Sequence, residues 1–214
     1  MAEKTTFFSV IIPAHNSAAY IRKLLDSIAE QSFTDYELIV VCDSCTDNTA
    51  EIAREYTDCV YEVNYGRDGL TRNCGLDYAN GEWILFADDD DWFLHEFAFQ
   101  MLHDVLCRSN ADVLAFSFIW KDIGYAQNRS DKLWVSVWNK AWKHSAIGET
   151  RFSDREWASD EDFNNAMLAK KPLIAVWDMP FYYYNFMREG SLTFQNANRL
   201  RIQKNTDNNV NSAR

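Results

Sequence analysis

Three prolines and seven glycines in 214 residues are too few for a collagen-like, linker-rich or low-complexity architecture. Cysteine is also sparse: residues 42, 45, 59, 74 and 107 are odd in number and scattered. That usage fits a reducing compartment better than a disulfide scaffold. Cys42 and Cys45 form a C-x-x-C, but no second pair completes a zinc site and no helix start is evident at Cys42 for a redox pair. No apolar run reaches the roughly 18 residues of a membrane span. The early run Phe7–Ile12 stops at Pro13 and has only Lys4 as a basic flank, so it does not read as a signal peptide. Positive charge is short, 21 basic against 32 acidic residues, for a net charge of −11. An acidic chain of this kind repels polyphosphate backbones, which argues against nucleic acid as a partner.

What is present is an ordinary globular balance, 47% apolar and 25% charged residues, unusually rich in aromatics at 15%. Phe8–Ile12 is a continuous apolar, β-branched run, as expected of a parallel strand buried on both faces. Ile21, Leu24, Leu25 and Ile28 follow at i, i+3, i+4, i+7, an amphipathic helix with Asn16 or Ser17 as candidate caps. Tyr36–Cys42 reads as a second strand, and Thr46 or Asp47 can cap a short helix with Ala50, Ile52, Ala53 and Tyr56 inward. Val60–Val63 is a third strand, Leu70–Ala79 a helix despite Gly75, Asn80-Gly81 a turn, and Trp83–Ala87 a fourth strand. This β-α-β-α-β-α-β alternation calls for a parallel sheet with helices on both faces. A helix through Phe97–Leu106 and a strand at Val113–Phe118 follow, and Ile119–Asp131 reads as a loop. Beyond it, Glu161–Lys170 is helical and Leu173–Trp177 is a strand. Residues 195–214 are Asn-rich, with four basic residues and one acidic, and are expected to fray or to form a peripheral helix.

Open parallel sheets bind ligands beyond the carboxyl ends of their strands. The polar residues there are Pro13–Asn16, Asp43–Asn48, then Asn64, Gly66, Arg67, Arg72 and Asn73, and finally Asp88-Asp89-Asp90-Asp91. Four adjacent carboxylates repel one another by about 1 kcal/mol per close pair even in water. A hard divalent ion, Mn²⁺ or Mg²⁺, relieves that repulsion; the alternative is a solvated acidic turn. His15, His95, His103 and His144 have no metal-ligand spacing.

The runs SVIIPAHN, YELIVVCDSCTDNT and NYGRDGLTRNCGLDYANGEWILFADDDDW resemble the family 2 inverting glycosyltransferases of the GT-A fold, in order and spacing over residues 8–92. VWNKAW at 137–142, SDEDF at 159–163 and FYYYNFMREGSLT at 181–193 continue the resemblance. It implies an α/β, Rossmann-like, mostly parallel sheet flanked by helices, with a smaller irregular acceptor-side half. The nucleotide-sugar-binding half would span 1–118, the acceptor-binding half of the same domain 119–194, and a polar tail 195–214. The implied reaction moves a sugar from a nucleotide diphosphate sugar, a UDP-sugar first, to a hydroxyl of a glycan or lipid-linked acceptor in bacterial surface glycan synthesis. The expected location is cytoplasmic, at or near the inner face of the membrane, with peripheral association at most.

Carried over residue by residue, the resemblance gives Asp43 the nucleotide base or ribose, against the alternative of a turn Asp that caps the next helix. Pro13, Ala14, Asn16, Asn64, Gly66, Arg72, Asp88 and Asp89 would line the nucleotide-sugar pocket. The D-x-D maps to Asp88 and Asp90 as metal residues, with Asp89 and Asp91 as substitutes if the register slips by one. Asp162 is the implied base, with Glu161 or Asp160 in reserve, although Ser159 with Asp162 also resembles a capping box. Trp138, Lys140 and Arg188 fall on the acceptor side, against the alternatives of a core Trp, one of eight in the chain, and of a surface Arg. Cys42-Asp43-Ser44-Cys45 departs from the family's D-D-G-S and lacks its first acid. Two other readings remain open: a haloacid-dehalogenase-like phosphatase, whose D-x-D also follows an apolar strand, and a non-catalytic nucleotide- or sugar-binding homologue.

Overall fold

The computed structural model describes residues 6–129, 133–186, 191 and 194. The chain divides into two units, 1–184 and 185–214. In the second, Phe194 N–H donates to Ser191 Oγ at 3.2 Å; Arg188 and the whole 195–214 tail lie outside the described residues.

The first unit opens with β1 (Phe8–Ala14), α1 (Ile21–Ala29), β2 (Tyr36–Asp43), α2 (Thr49–Ala53), β3 (Val60–Val63), α3 (Asp68–Tyr78) and β4 (Trp83–Phe86). The alternation legible in the sequence is present, and β1 pairs parallel with both β2 and β4 while β2 pairs parallel with β3. β5 (Trp92–Phe93), α4 (Ala98–Leu106), β6 (Val113–Trp120), β7 (Gly124–Ala126), β8 (Lys140–Lys143), α5 (His144–Ile147), α6 (Ser159–Ala169) and β9 (Ile174–Tyr184) complete it. Among the described residues, nine strands form one mixed sheet in the order β3-β2-β1-β4-β8-β6-β9-β5, with β7 on β6.

β1 is buried along its whole length because both faces of the sheet are covered. Val10 and Ile12 pack with Ile21, Leu24, Leu25 and Ile28 of α1 and with Phe99 and Leu102 of α4. Ile11, on the other face, packs with Leu76 of α3 and with Phe163 and Met167 of α6. The period of two along a strand divides these side chains between the layers. Gly75 is explained at this contact: a Cβ there would collide with the Ile11 side chain, so α3 accepts a poor helix former to lie close on β1.

Several local expectations are corrected. The segment read as a loop, Ile119–Asp131, instead carries the end of β6 and the hairpin to β7. Its turn runs through left-handed Asp122 (φ 67°) and Gly124 (φ 90°). β9 is longer than Leu173–Trp177, because register shifts on either side of Ser117 let it carry Pro180 beside β6. Neither Asn16 nor Ser17 caps α1: Asn16 is left-handed (φ 48°) and Tyr20 holds the cap position. Neither Thr46 nor Asp47 caps α2: Asn48 holds the cap position without a side-chain cap, and Asp47, just before it, accepts the Thr49 N–H at 3.1 Å. α6 starts from left-handed Ala158 without a side-chain cap, so Ser159 and Asp162 form no capping box. Among the described residues, no helix is long and apolar enough to cross a membrane.

Candidate active site

The loops beyond β1, β2 and β4 meet at the carboxyl ends of the parallel strands. His15 joins all three: its N–H donates to Asp89 Oδ2 (3.0 Å), and its Nδ1 lies 2.6 Å from the Asp43 carbonyl. Asn16 Oδ1 accepts the Thr46 N–H at 2.8 Å. Cys45 Sγ accepts the Asn16 N–H at 3.4 Å, so the C-x-x-C thiol fastens the β1 and β2 exits, and all five cysteines are free. Pro13 and Ala14 are buried within β1, paired with Val41 and Cys42.

Asp43 ends β2 and organises the next loop. Oδ1 accepts from Tyr65 N–H (2.8 Å), Gly66 N–H (3.0 Å) and the Ser44 hydroxyl (2.8 Å); Oδ2 accepts from Arg67 N–H (3.1 Å) and the Thr71 hydroxyl (2.9 Å). Burial opposes its ionisation, but donors from Gly66, Ser44, Thr71 and Tyr65 outweigh that and hold the carboxyl below its usual range. Asn64 is exposed, its side-chain amide 2.6 Å from Ser44 Oγ, while Gly66 takes φ 61° at the turn. Asn73 faces away from this loop and exchanges two hydrogen bonds with the Phe152 backbone.

The charged centre lies where α3, the β4 exit and α6 converge. Arg72, only 3% exposed, pairs with Asp68 one turn earlier, with Asp88 (2.7 Å) and with Asp160 (3.4 Å). Gly69 permits this approach, since a Cβ there would sit 2.9 Å from Ser159 Cβ and against the Ser153 carbonyl. Burial pushes the Asp88 carboxyl up; Arg72 opposes the shift, and the charges of Asp160, Asp68 and Asp90 add to it. Burial likewise raises Asp160, again against Arg72. One guanidinium thus faces three carboxylates, those of Asp68, Asp88 and Asp160. The Asp88 N–H donates to the Tyr182 hydroxyl at 2.9 Å, which ties the acidic turn to β9.

The three acids at the start of α6 separate by helical geometry. Successive residues turn by about 100°, so Asp160 shares the inward face with Phe163, Asn164 and Met167 while Asp162 does not. Asp160 Oδ2 accepts the Val137 N–H at 3.1 Å. Asp162 instead accepts from the Ser153 hydroxyl (2.5 Å) and from Arg155 (2.8 Å), which lower its pKa despite some burial. Glu161 is exposed. The i, i+3, i+4, i+7 spacing of Asp160, Phe163, Asn164 and Met167 is the sequence signal that picks out the inward acid.

Trp138 and Lys140 are interior side chains, 4% and 1% exposed. The Trp138 ring stacks on Tyr182 at 5.0 Å and meets the edge of Phe118 at 4.7 Å, which places it in the core. His15, flagged by its strand-end position, belongs to the same constellation, as do Asp68, Thr71 and Tyr182, which neither composition nor strand-end position had singled out.

This arrangement of loops, an Arg-centred acidic turn after β4 and a helix-borne carboxylate facing it, agrees with the comparison to protein families, in which glycosyl transferase family 2 matches residues 9–177. The chain belongs to that family. Its fold is that of the family's GT-A members: a solved structure of residues 1–349 of Staphylococcus aureus TarS in complex with UDP-GlcNAc superposes with a TM-score of 0.78 at 27% identity, over 87% of this chain and 60% of that one. In sequence, the chain is 42% identical over 97 residues to the S. aureus poly(ribitol-phosphate) β-N-acetylglucosaminyltransferase TarS, covering 42% of this chain and 17% of that protein. It is 25% identical to the Streptococcus pneumoniae glycosyltransferase GlyA over 86% of this chain and 31% of that protein. The chain therefore spans less than a third of these two relatives. A mannosyltransferase from Pyrobaculum calidifontis, solved with GDP-Man and Mn²⁺, shares the fold with a TM-score of 0.67 at 16% identity.

Proposed function

We propose that the protein moves a sugar from a nucleotide diphosphate sugar, a UDP-sugar first, onto a hydroxyl of a bacterial surface glycan or its lipid-linked precursor, with inversion at the anomeric carbon. The observation that carries this reading is the set of a buried Arg72 with the half-buried Asp88 and Asp160: a strand-end carboxylate and a helix-borne carboxylate share one arginine. UDP is favoured as the donor nucleotide because the TarS structures at similar identity contain UDP and UDP-GlcNAc.

The residues divide the work. Asp43 shapes the loop at 64–67 against which the nucleotide would lie, with Asn16, Asn64 and Gly66 at its exposed rim. Arg72 holds Asp88 and Asp160 in place. We assign the base to Asp160 rather than Asp162, since Asp160 faces the cluster and Asp162 is engaged by Ser153 and Arg155. Asp160 would accept the proton of the acceptor hydroxyl as that oxygen attacks the anomeric carbon. A single carboxylate acting as base, with no covalent sugar intermediate, leaves the configuration inverted.

The donor set also fits a hard cation. Asp88 and Asp90 offer only oxygen, and burial together with the charges of Asp160, Asp68 and Asp90 raises the Asp88 carboxyl, so a divalent ion would relieve a cost that the site imposes on that carboxylate. Asp88 and Asp90 would hold Mn²⁺ or Mg²⁺, which supplies positive charge against a departing diphosphate. Five free cysteines fit a reducing, cytoplasmic setting where nucleotide sugars are available.

The direct test is UDP release from a panel of UDP-sugars, beginning with UDP-GlcNAc and UDP-glucose, in Mn²⁺ without acceptor. Slow UDP release that EDTA abolishes is the expected result. Phosphate release from a simple phosphomonoester, with every nucleotide sugar left intact, would favour the phosphatase reading instead. Binding of UDP without turnover of any donor would favour the non-catalytic one.

A further inference from the structure

Lys140 carries a charge that the reaction outlined above does not use. It opens β8 between β4 and β6, and its side chain is 1% exposed. Burial of an ammonium without a carboxylate in contact is costly, and among the described residues no acid lies within ion-pair distance of Nζ. Burial depresses its pKa to about 7, while the charge of Asp160 works in the opposite direction. An apolar side chain would fill the same space at lower cost, so the ammonium calls for an explanation beyond packing.

Its hydrogen bonds supply one. The three N–H donors of Nζ meet three acceptors, all in the preceding segment: the Trp134 carbonyl (2.6 Å), the Ser136 carbonyl (2.6 Å) and Asn139 Oδ1 (2.8 Å). Residues 133–139 form neither helix nor strand. Their backbone is held at its ends, where Asn128 Oδ1 accepts the Trp134 N–H (2.9 Å) and the Asn139 carbonyl accepts from Phe116 N–H of β6 (3.0 Å), and no ladder fixes its centre. Yet Val137, at the centre of this segment, donates its N–H to Asp160 Oδ2. Its carbonyl accepts from Trp142 Nε1 at 3.1 Å, and Asn164 ties the Val135 carbonyl to the first turn of α6. Lys140 clasps the segment from one side and α6 holds it from the other, with the Asp160 carboxylate at the junction.

We propose that Lys140 is a positioning residue for Asp160, acting through the 134–139 segment to aim the Val137 N–H at that carboxylate. This rests on the assignment of Asp160 as the base. The clasp fixes one carboxylate oxygen and leaves the other toward Arg72, which sets the orientation in which Asp160 meets an acceptor hydroxyl.

The test measures kcat, the donor KM and the UDP Kd in Mn²⁺ for Lys140→Met and Lys140→Gln in the full chain. Met keeps the bulk and loses every donor; Gln keeps two N–H donors on a slightly shorter stem. Misplacement of a catalytic group by an ångström costs up to about 10²-fold, so kcat should fall by about that factor in Lys140→Met, with donor KM and UDP Kd within about twofold. Lys140→Gln should retain more kcat than Met. Should Lys140→Met fail to fold, Lys140→Gln decides alone: kcat reduced with UDP affinity kept supports the clasp. Unchanged kcat in either folded variant, UDP affinity falling in step with kcat, or Met outperforming Gln would overturn it. Asp160→Asn separates the two readings: if it keeps full transfer, the base assignment fails, whereas its inactivity beside a fully active Lys140→Met refutes only the role of Lys140.

Discussion

Asp160→Asn should reduce sugar transfer by about 10²–10⁴-fold, the range a general base contributes, while UDP still binds in Mn²⁺. The amide keeps the size of the side chain but accepts no proton from the acceptor hydroxyl. Binding should survive because Arg72 retains Asp68 and Asp88 as partners. The matched control is Asp162→Asn, two positions along the same helix and held by Ser153 and Arg155 outside the cluster. It should leave kcat within about threefold, since nothing at that position reaches the acidic centre and surface changes of this kind are small. Initial rates of UDP formation with a saturating acceptor provide the comparison. Loss of activity in Asp162→Asn with retention in Asp160→Asn would reverse the assignment.

The second large effect is on stability. Arg72→Leu removes the buried guanidinium that Asp68, Asp88 and Asp160 share, leaving three half-buried carboxylates without their cation. Breaking a buried pair from one side costs about 3–5 kcal/mol, because the desolvation of the remaining charge is no longer compensated. In a domain of this size, that lowers Tm by about 10 °C. Millimolar Mn²⁺ should restore part of the loss if Asp88 and Asp90 hold the ion, by mass action on the folded state. A melting curve that matches the wild type would show that Arg72 is not the counterion of this cluster.

The sequence made the parallel half of the sheet legible because β1, β2 and β4 are buried on both faces. Uninterrupted runs such as Val10-Ile11-Ile12 and Trp83–Phe86 have few other structural homes. α1 was equally plain, its four inward residues falling on one helical face. The second half was harder to read. β5 is two residues long and exists only by pairing with β9, and the β6–β7 hairpin turns on backbone angles at Asp122 and Gly124 that hydrophobic patterning does not carry. In the site, strand-end position was enough to bring Asp43, Asp88 and Asp89 into one neighbourhood. It could not show that Asp43 spends its oxygens on the 64–71 loop, because those donors are backbone N–H groups and hydroxyls from distant positions. Family motif alone pointed to Asp162. The helical phase set by Phe163 and Met167 points to Asp160, and the fold places Asp160 beside Arg72. Trp138 and Lys140 look like cleft residues when read as W-N-K; Lys140 is buried by the central place of β8 in the sheet, and Trp138 by its packing on Phe118 and Tyr182.

The central claim is that the carboxylates after β4 make nucleotide binding depend on a divalent cation. Calorimetric titration of UDP into the protein, in Mn²⁺ and again in EDTA, tests it most directly. Saturable binding in Mn²⁺ that disappears in EDTA, and is lost in Asp90→Asn even with Mn²⁺ present, is the predicted result. Equal affinity with and without the ion, or no binding at millimolar UDP, would contradict it.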